Sequence, residues 1–419
     1  MKRLIFILLT LVATQAVAQD LPLYKKVVKE LSSSKYQGRG YAYDGANKAG
    51  KYLEKEFKKV GVDQVICQPF KININTFPGK MKLCVDGRKL EAGVDFNLRE
   101  FSPGAKGSYK LYHIDTANYD SNKIFADLAL PENKGAFVVC DFWFTYKHSA
   151  DFKRMQSREG CANGGLIYTW NEPLKFYKAY GEKVAQKPVI WVTTDALSAS
   201  ARRIDVDIEN KFLADYECFN VIAKVEGENH DSCYVFTAHY DHLGNLGRKV
   251  YYAGAHDNAS GTAAIVTLAA HYAKQRPKYD MYFIAFSGED AFLRGSEWYA
   301  NNPLVSLKQI KYLFNLDMIG DNNPVQYCEV SPEGMRGYEL FEKINNSKHY
   351  FKSLNRGKLA GNSDHYPFAQ RNVPCIFLEN EGGDAFKYYH TTFDTWENAI
   401  FDSYEPVFKL VVDFVEQYE

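Results

Sequence analysis

Most of the familiar catalytic signatures are missing from this chain of 419 residues. Its 8 cysteines include no C-x-x-C pair, so a thiolate zinc site is not indicated. No H-E-x-x-H, G-x-S-x-G, Walker loop or G-x-G-x-x-G occurs. Without a nucleophile motif, direct attack by water is the favoured hydrolytic route. Neither sign of charge is in excess, with 51 Lys and Arg against 51 Asp and Glu. That balance argues against a nucleic-acid partner or an anionic membrane surface. Internal repeats and low-complexity segments are also absent.

The long apolar run at the start, MKRLIFILLTLVATQAVAQ, begins with Lys2 and Arg3 and ends in the small-x-small pattern of Ala16 and Ala18. It is short for a membrane span and has the layout of a secretory signal cut after Ala18. The expectation is an exported protein, periplasmic or secreted, with no stable membrane insertion after cleavage. Export permits disulfides, but the cysteines are irregularly spaced. Cys140, Cys233 and Cys375 fall inside apolar strand-like runs, where buried thiols are common.

Beyond the signal, the chain changes texture twice. A helix around Leu23 to Leu31 leads to the glycine-punctuated loop KYQGRGYAYDG. A second helix follows, with Ala49, Leu53, Phe57 and Val60 at helical spacing and Gly61 as its stop. From about Met81 the runs become short and rich in Val, Tyr and Phe (KLCVDG, GSYKLYHID, GAFVVCDFWF, GGLIYTW, KPVIWVTT), with one helical piece near 150–160. This reads as a mostly-β module over 81–215. From Phe219 apolar strands (SCYVFTA, MYFIAFS, KYLFNL, VPCIFLEN) alternate with amphipathic helices, the last starting near Ser403. That alternation predicts an α/β fold with a mixed, largely parallel sheet covered on both faces. The expected division is therefore signal 1–18, a first part of the main domain 19–80, the module 81–215 and the remainder of the main domain 216–419.

The chemistry gathers where those strands stop. In an open parallel sheet, ligands bind beyond the carboxyl ends of the strands. SCYVFTA delivers His239, MYFIAFS delivers Glu289 and Asp290, and KYLFNL delivers Asp317. Asp257 opens a helix, and His390 follows the last strand in YYHTTFDTW. Acids brought together at consecutive strand ends repel one another unless cations hold them. Two histidines and three carboxylates exceed the needs of one tetrahedral zinc and suit two metals sharing a carboxylate. Of the neighbours Glu289 and Asp290, one is then a ligand and the other a general base.

The pieces AHYDH, GAHDNASG, FSGEDAFLRGS, NLDMIG, SDHYPF and HTTFDT occur in the order seen in the co-catalytic zinc exopeptidases of peptidase clan MH, family twenty-eight. The chain resembles that family over about 21–79 and from Phe219 onward. The resemblance implies an aminopeptidase acting on peptide substrates with two zinc ions, or with manganese or cobalt on the same ligands. It implies that His239 and Asp317 bind one metal, Asp290 and His390 the other, and that Asp257 bridges them. Glu289 is then the base, Asp241 orients His239, and Tyr389 hydrogen-bonds the tetrahedral intermediate. Asp364 and His365 belong to the pocket without being ligands, and His242 and His256 line the site or face solvent. Asp290 stands where many members have glutamate, and Phe292 stands where it would narrow the pocket. The middle module resembles the protease-associated domain often inserted in this family. A carboxypeptidase, a dipeptidase, a glutaminyl cyclase and a binding ectodomain with a dead site are the alternatives on this fold.

Overall fold

The computed structural model describes residues 20–171, 173–176 and 182–418, so the expected signal 1–18 lies outside the described residues. Among them, two eight-stranded sheets and one two-stranded ribbon form. The first sheet runs in the order Gln64–Thr76, Lys211–Val225, Tyr279–Phe286, Asn229–His239, Ile310–Leu316, Cys375–Glu379, Val325–Val330, Ser353–Arg356. Its four central strands, from Tyr279–Phe286 to Cys375–Glu379, are mutually parallel. Antiparallel neighbours flank them on both sides. The parallel middle and its helical cover bear out the mixed α/β expectation.

Burial explains why these segments are strands. Tyr234, Val235, Phe236, Phe283, Ile284, Leu313 and Phe314 point alternately to the two faces and all are buried, as a sheet covered on both sides requires. On one face the helix Gly261–Tyr272 has every residue but His271 buried. Ala263, Ala264, Ala269 and Ala270 give it a thin profile that lets neighbouring elements pack close. The helix Leu21–Leu31 buries Tyr24, Val27, Val28 and Leu31, a stripe at helical spacing, and is capped by the Asp20 carboxylate accepting from the Leu23 N–H at 2.9 Å. The helix Gly45–Val60 ends at Gly61, whose φ of 92° is a conformation glycine adopts freely. The helix Tyr404–Gln417 closes the layer with Val407, Phe408, Val411 and Val412.

The second sheet takes the segment between Met81 and Ile208. Its middle strands Ala105–His113, Phe137–Asp141, Gly165–Trp170 and Val189–Thr193 are parallel. Helices Ser121–Ala129, Phe142–Lys147 and Ser149–Gln156 accompany them, where only one helical piece was expected. The run GAFVVCDFWF is not all strand. The Asp141 carboxylate accepts from the Phe144 N–H at 3.1 Å and starts a helix in mid-run. The unit is therefore α/β rather than mostly β.

The second sheet is also not set off cleanly from the first. Its core includes Leu243, Leu246 and Tyr252, which come from the loop beyond the strand Asn229–His239. The Tyr252 hydroxyl donates to Asn97 Oδ1 at 2.8 Å. The strand Lys211–Val225 runs through position 215 unbroken, paired with Gln64–Thr76 along its length apart from one irregularity. All eight cysteines are unpaired thiols.

Candidate metal centre

Parallel strands that stop at one edge bring their last residues together, and the six groups named from the sequence meet there. His239 is the last residue of its strand, Asp317 follows Leu316, and Glu289 and Asp290 follow the strand ending at Phe286. Asp257 lies just before the helix Gly261–Tyr272, and the Asp257–Asn258 peptide bond is cis. All six side chains belong to buried residues. They line a cavity of about 90 Å³ together with Met318, Asn362, Phe377, Glu379 and Tyr389, and no lysine or arginine is in that lining.

The Asp257 carboxylate sits between two sets of donors. Its Oδ1 lies 3.3 Å from His239 Nε2, which is also 3.3 Å from Asp317 Oδ1. Its Oδ2 lies 3.1 Å from His390 Nε2, whose other acidic neighbour, Asp290 Oδ1, is 4.0 Å away. Two sets of three donors have their atoms within 4.8 Å of one another: His239, Asp257 and Asp317, and His239, Glu289 and Asp290. The second grouping takes Glu289 where the resemblance takes His390. Buried acids and imidazoles with no basic side chain in the lining are a donor set that divalent cations would neutralise, and imidazole with carboxylate suits zinc. The residues present therefore fit a two-zinc centre.

The electrostatics of the cavity separate its acids. Burial would raise Asp257, but the imidazoles of His242, His239 and His390 outweigh it and hold the carboxyl well below its usual range. Asp290 is likewise held down by His242 against its burial. Glu289 goes the other way: burial, reinforced by Asp290, Asp364 and Asp317, pushes it well above the usual carboxylate range. Burial pushes Glu379 up to about 9, with Asp317 adding to the effect. Burial and neighbouring charges thus push the acids of one cavity in opposite directions, the kind of separation that acid–base chemistry uses.

Several groups that hold the site went unread in the sequence. Arg39, in the QGRG loop, is wholly buried and donates five hydrogen bonds to backbone carbonyls: those of Tyr240, Leu31, Ala253, Gly254 and Asp257, at 2.6 to 3.1 Å. Asp394 accepts the N–H groups of His256 and Asp257 at 2.8 and 3.0 Å. Asn258 accepts from the Met318 N–H at 3.1 Å and donates to the Leu316 carbonyl at 3.0 Å, tying the Asp257 loop to the strand of Asp317. The Ser363 hydroxyl donates to Asp317 Oδ2 at 2.7 Å. Gly254, at φ 61°, is needed because a Cβ there would lie 2.2 Å from the Asp257 carbonyl. The glycines around Arg39 were the available signal, since they let the chain close around a buried guanidinium.

The remaining named residues fall as follows. The Asp241 carboxylate accepts from the Tyr41 hydroxyl at 2.8 Å and the Glu289 N–H at 3.2 Å. His239 Nδ1 is nearer the Asp241 carbonyl, at 3.2 Å, than its carboxylate, at 3.9 Å. Tyr389 stacks on His390 with ring centres 3.8 Å apart. His242 is fully buried with Nδ1 3.2 Å from Asp290 Oδ2, so it backs a lining residue of the site and does not face solvent. Asp364 and His365 sit behind the cavity wall, His365 stacked on Phe377 at 4.9 Å. Phe292 is 45% exposed and outside the cavity lining, so it does not narrow the pocket.

Residues 220–415 match the model of peptidase family M28. Over these residues the chain is similar to the M28 peptidases. The chain shares a fold with a zinc aminopeptidase from Bacillus subtilis, at a TM-score of 0.73 and 20% identity over 96% of each chain. An aminopeptidase from Aneurinibacillus sp. strain AM-1 superimposes at 0.66 with 22% identity, over 96% of this chain and 94% of that one. By sequence, the chain is 26% identical over 221 residues to Aminopeptidase YwaD of Bacillus subtilis, covering 50% of this chain and 47% of that protein. A second relative, Leupeptin-inactivating enzyme 1 of Streptomyces exfoliatus, is 29% identical over 168 residues, 37% of this chain and 34% of its own length. The chain thus spans about half or less of the length of these curated relatives.

Proposed function

We propose that the protein is a two-metal exopeptidase, an aminopeptidase that hydrolyses amino-terminal residues from peptides. The observation that carries this reading is the Asp257 carboxylate, with one oxygen facing His239 and Asp317 and the other facing His390 and Asp290, beside a Glu289 whose burial raises its proton affinity. The names of the zinc aminopeptidase and of Aminopeptidase YwaD favour the amino end. The cavity, at about 90 Å³, is smaller than sites that enclose a whole ligand and suits a chain end better than a segment threading through.

His239 and Asp317 would hold one zinc and His390 and Asp290 the other, with Asp257 between. Bound there, the ions would polarise the scissile carbonyl and acidify water. Glu289 takes the proton from the attacking water and passes it to the leaving nitrogen, a transfer its raised proton affinity suits. Asp241 fixes the turn carrying Glu289 through that residue's N–H. Tyr389, braced on His390, is placed to donate to the oxyanion.

The segment 81–215 acts as a protease-associated-like module inserted between 19–80 and 216–419, and it shapes access. Two contacts support this: the Phe176 N–H donates to the His390 carbonyl at 2.9 Å, and Lys175 Nζ lies 5.4 Å from the centre of the Tyr389 ring. The start of the chain serves as a signal that exports the protein to the periplasm or beyond. No described helix is long and apolar enough to cross a membrane.

Incubating the purified chain with a peptide pool, half free and half acetylated at the amino end, tests the reading by mass spectrometry. Chelator-sensitive ladders from the free amino ends alone are expected. Trimming from the carboxyl end, or cyclised amino-terminal glutamine without cleavage, would move the protein to a carboxypeptidase or a cyclase.

A further inference from the structure

Five acids line the cavity: Asp257, Glu289, Asp290, Asp317 and Glu379. The first four belong to the two donor clusters, and Glu379 belongs to neither. It is the last residue of the strand Cys375–Glu379, one step past the pair Leu316 and Leu378, so the parallel register sets it beside Asp317. The Asp317 N–H donates to the Leu378 carbonyl at 3.1 Å and locks that register. Glu379 is 8% exposed, and among the described residues its carboxyl has no hydrogen-bond or ion-pair partner. A buried carboxyl without a partner is costly, and sites that bind a charged ligand are where such a group is retained.

We infer that Glu379 is the specificity-determining residue that receives the α-ammonium of the substrate's amino-terminal residue. This rests on the aminopeptidase reading and deepens it by naming the group that separates free from blocked amino ends. An ammonium needs an acceptor that metal binding does not occupy, and it brings the positive charge that the buried, unpartnered Glu379 carboxyl lacks; the lining has no other acid of that kind once Glu289 is reserved for proton transfer. Its place beside Asp317 puts the ammonium on the His239 and Asp317 side, leaving the opposite side, with His390 and Tyr389, to the carbonyl. Phe377 and Met318, also in the lining, supply apolar surface for the first side chain.

Calorimetry on the zinc-loaded full chain tests this, with leucine and 2-hydroxy-4-methylpentanoate, its counterpart with a hydroxyl for the amine, as probes. Wild type should bind leucine at least about tenfold more tightly, the worth of one charge-assisted hydrogen bond. The E379Q variant should keep both metal ions per chain and bind the two probes alike. Retention of the preference by E379Q, loss of a metal ion from it, or no preference in wild type would each overturn the inference. Should E379Q not fold, a crystal structure of zinc-loaded wild type with leucine decides: the ammonium nitrogen is expected about 3 Å from a Glu379 oxygen, and a position beyond contact overturns the assignment. Hydrolysis separates the two levels. If wild type prefers leucine but trims no peptide, the aminopeptidase reading fails and Glu379 keeps its role. If peptides are trimmed and E379Q leaves KM unchanged, Glu379 alone is wrong.

Discussion

The two sheets are built alike in the middle and differ at their ends. Each has four parallel strands at its centre. In the second sheet the polar residues at the strand ends are satisfied by nearby backbone: Asp141 caps the helix that follows it, and His113 Nε2 lies 2.7 Å from the Ala201 carbonyl. In the first sheet the corresponding groups face one another across a cavity, and their closest partners are other site residues. Parallel topology supplies a place where strand ends meet, and it does not by itself supply chemistry. What makes the first edge a site is that its acids are held back from the local caps that would neutralise them.

That contrast can be broken in graded ways. The largest effect is expected from stripping metals with a chelator: peptide hydrolysis should fall to background and return with zinc. The thermal midpoint should drop by several degrees, because the buried acids lose the ions that screen them. Next is E289Q, for which a loss of about 10²- to 10⁴-fold in kcat with metal content unchanged is expected. Equal metal loss would instead make Glu289 a ligand, as one geometric grouping would have it. R39A should cost at least about 3 kcal/mol in denaturant unfolding, since five carbonyls lose their donor. R39K should rescue little of it, because an ammonium has three donors for five acceptors. In the second sheet, D141N should cost no more than about 1 kcal/mol and leave turnover intact, as fits a helix cap. Smallest of all, K175A should change KM by about twofold at constant kcat, the worth of a cation over an aromatic face.

How much could be read in advance follows from how local each signal is. The helices Leu21–Leu31, Gly45–Val60 and Gly261–Tyr272 and the four central strands announce themselves by periodicity within a dozen residues. The donors His239, Asp257, Glu289, Asp290, Asp317 and His390 were legible because the strand-end rule converts sequence position into place. The edge strands Val325–Val330 and Ser353–Arg356 were not read, since SLNR is short and polar and gains its structure from pairing. Neither was the helix Phe142–Lys147, where one side-chain bond from Asp141 overrides a run of aromatics that favours strand. Arg39 was the hardest case. Four of its five acceptors lie 201 to 218 residues away, and no local pattern records such a contact.

Those long-range bonds from Arg39 have a consequence for assembly. The loop that presents Asp257 is shaped by a residue made some two hundred positions earlier, so the centre cannot be completed by residues 220–415 acting alone. A fragment beginning after the glycine loop would carry every donor to the metals and still lack the clamp that sets their spacing. In the growing chain, Arg39 waits through the whole second sheet before its acceptors exist, and closure of so long a loop is slow. The centre should therefore be among the last parts of the molecule to form, and metal uptake during refolding should lag behind the recovery of secondary structure.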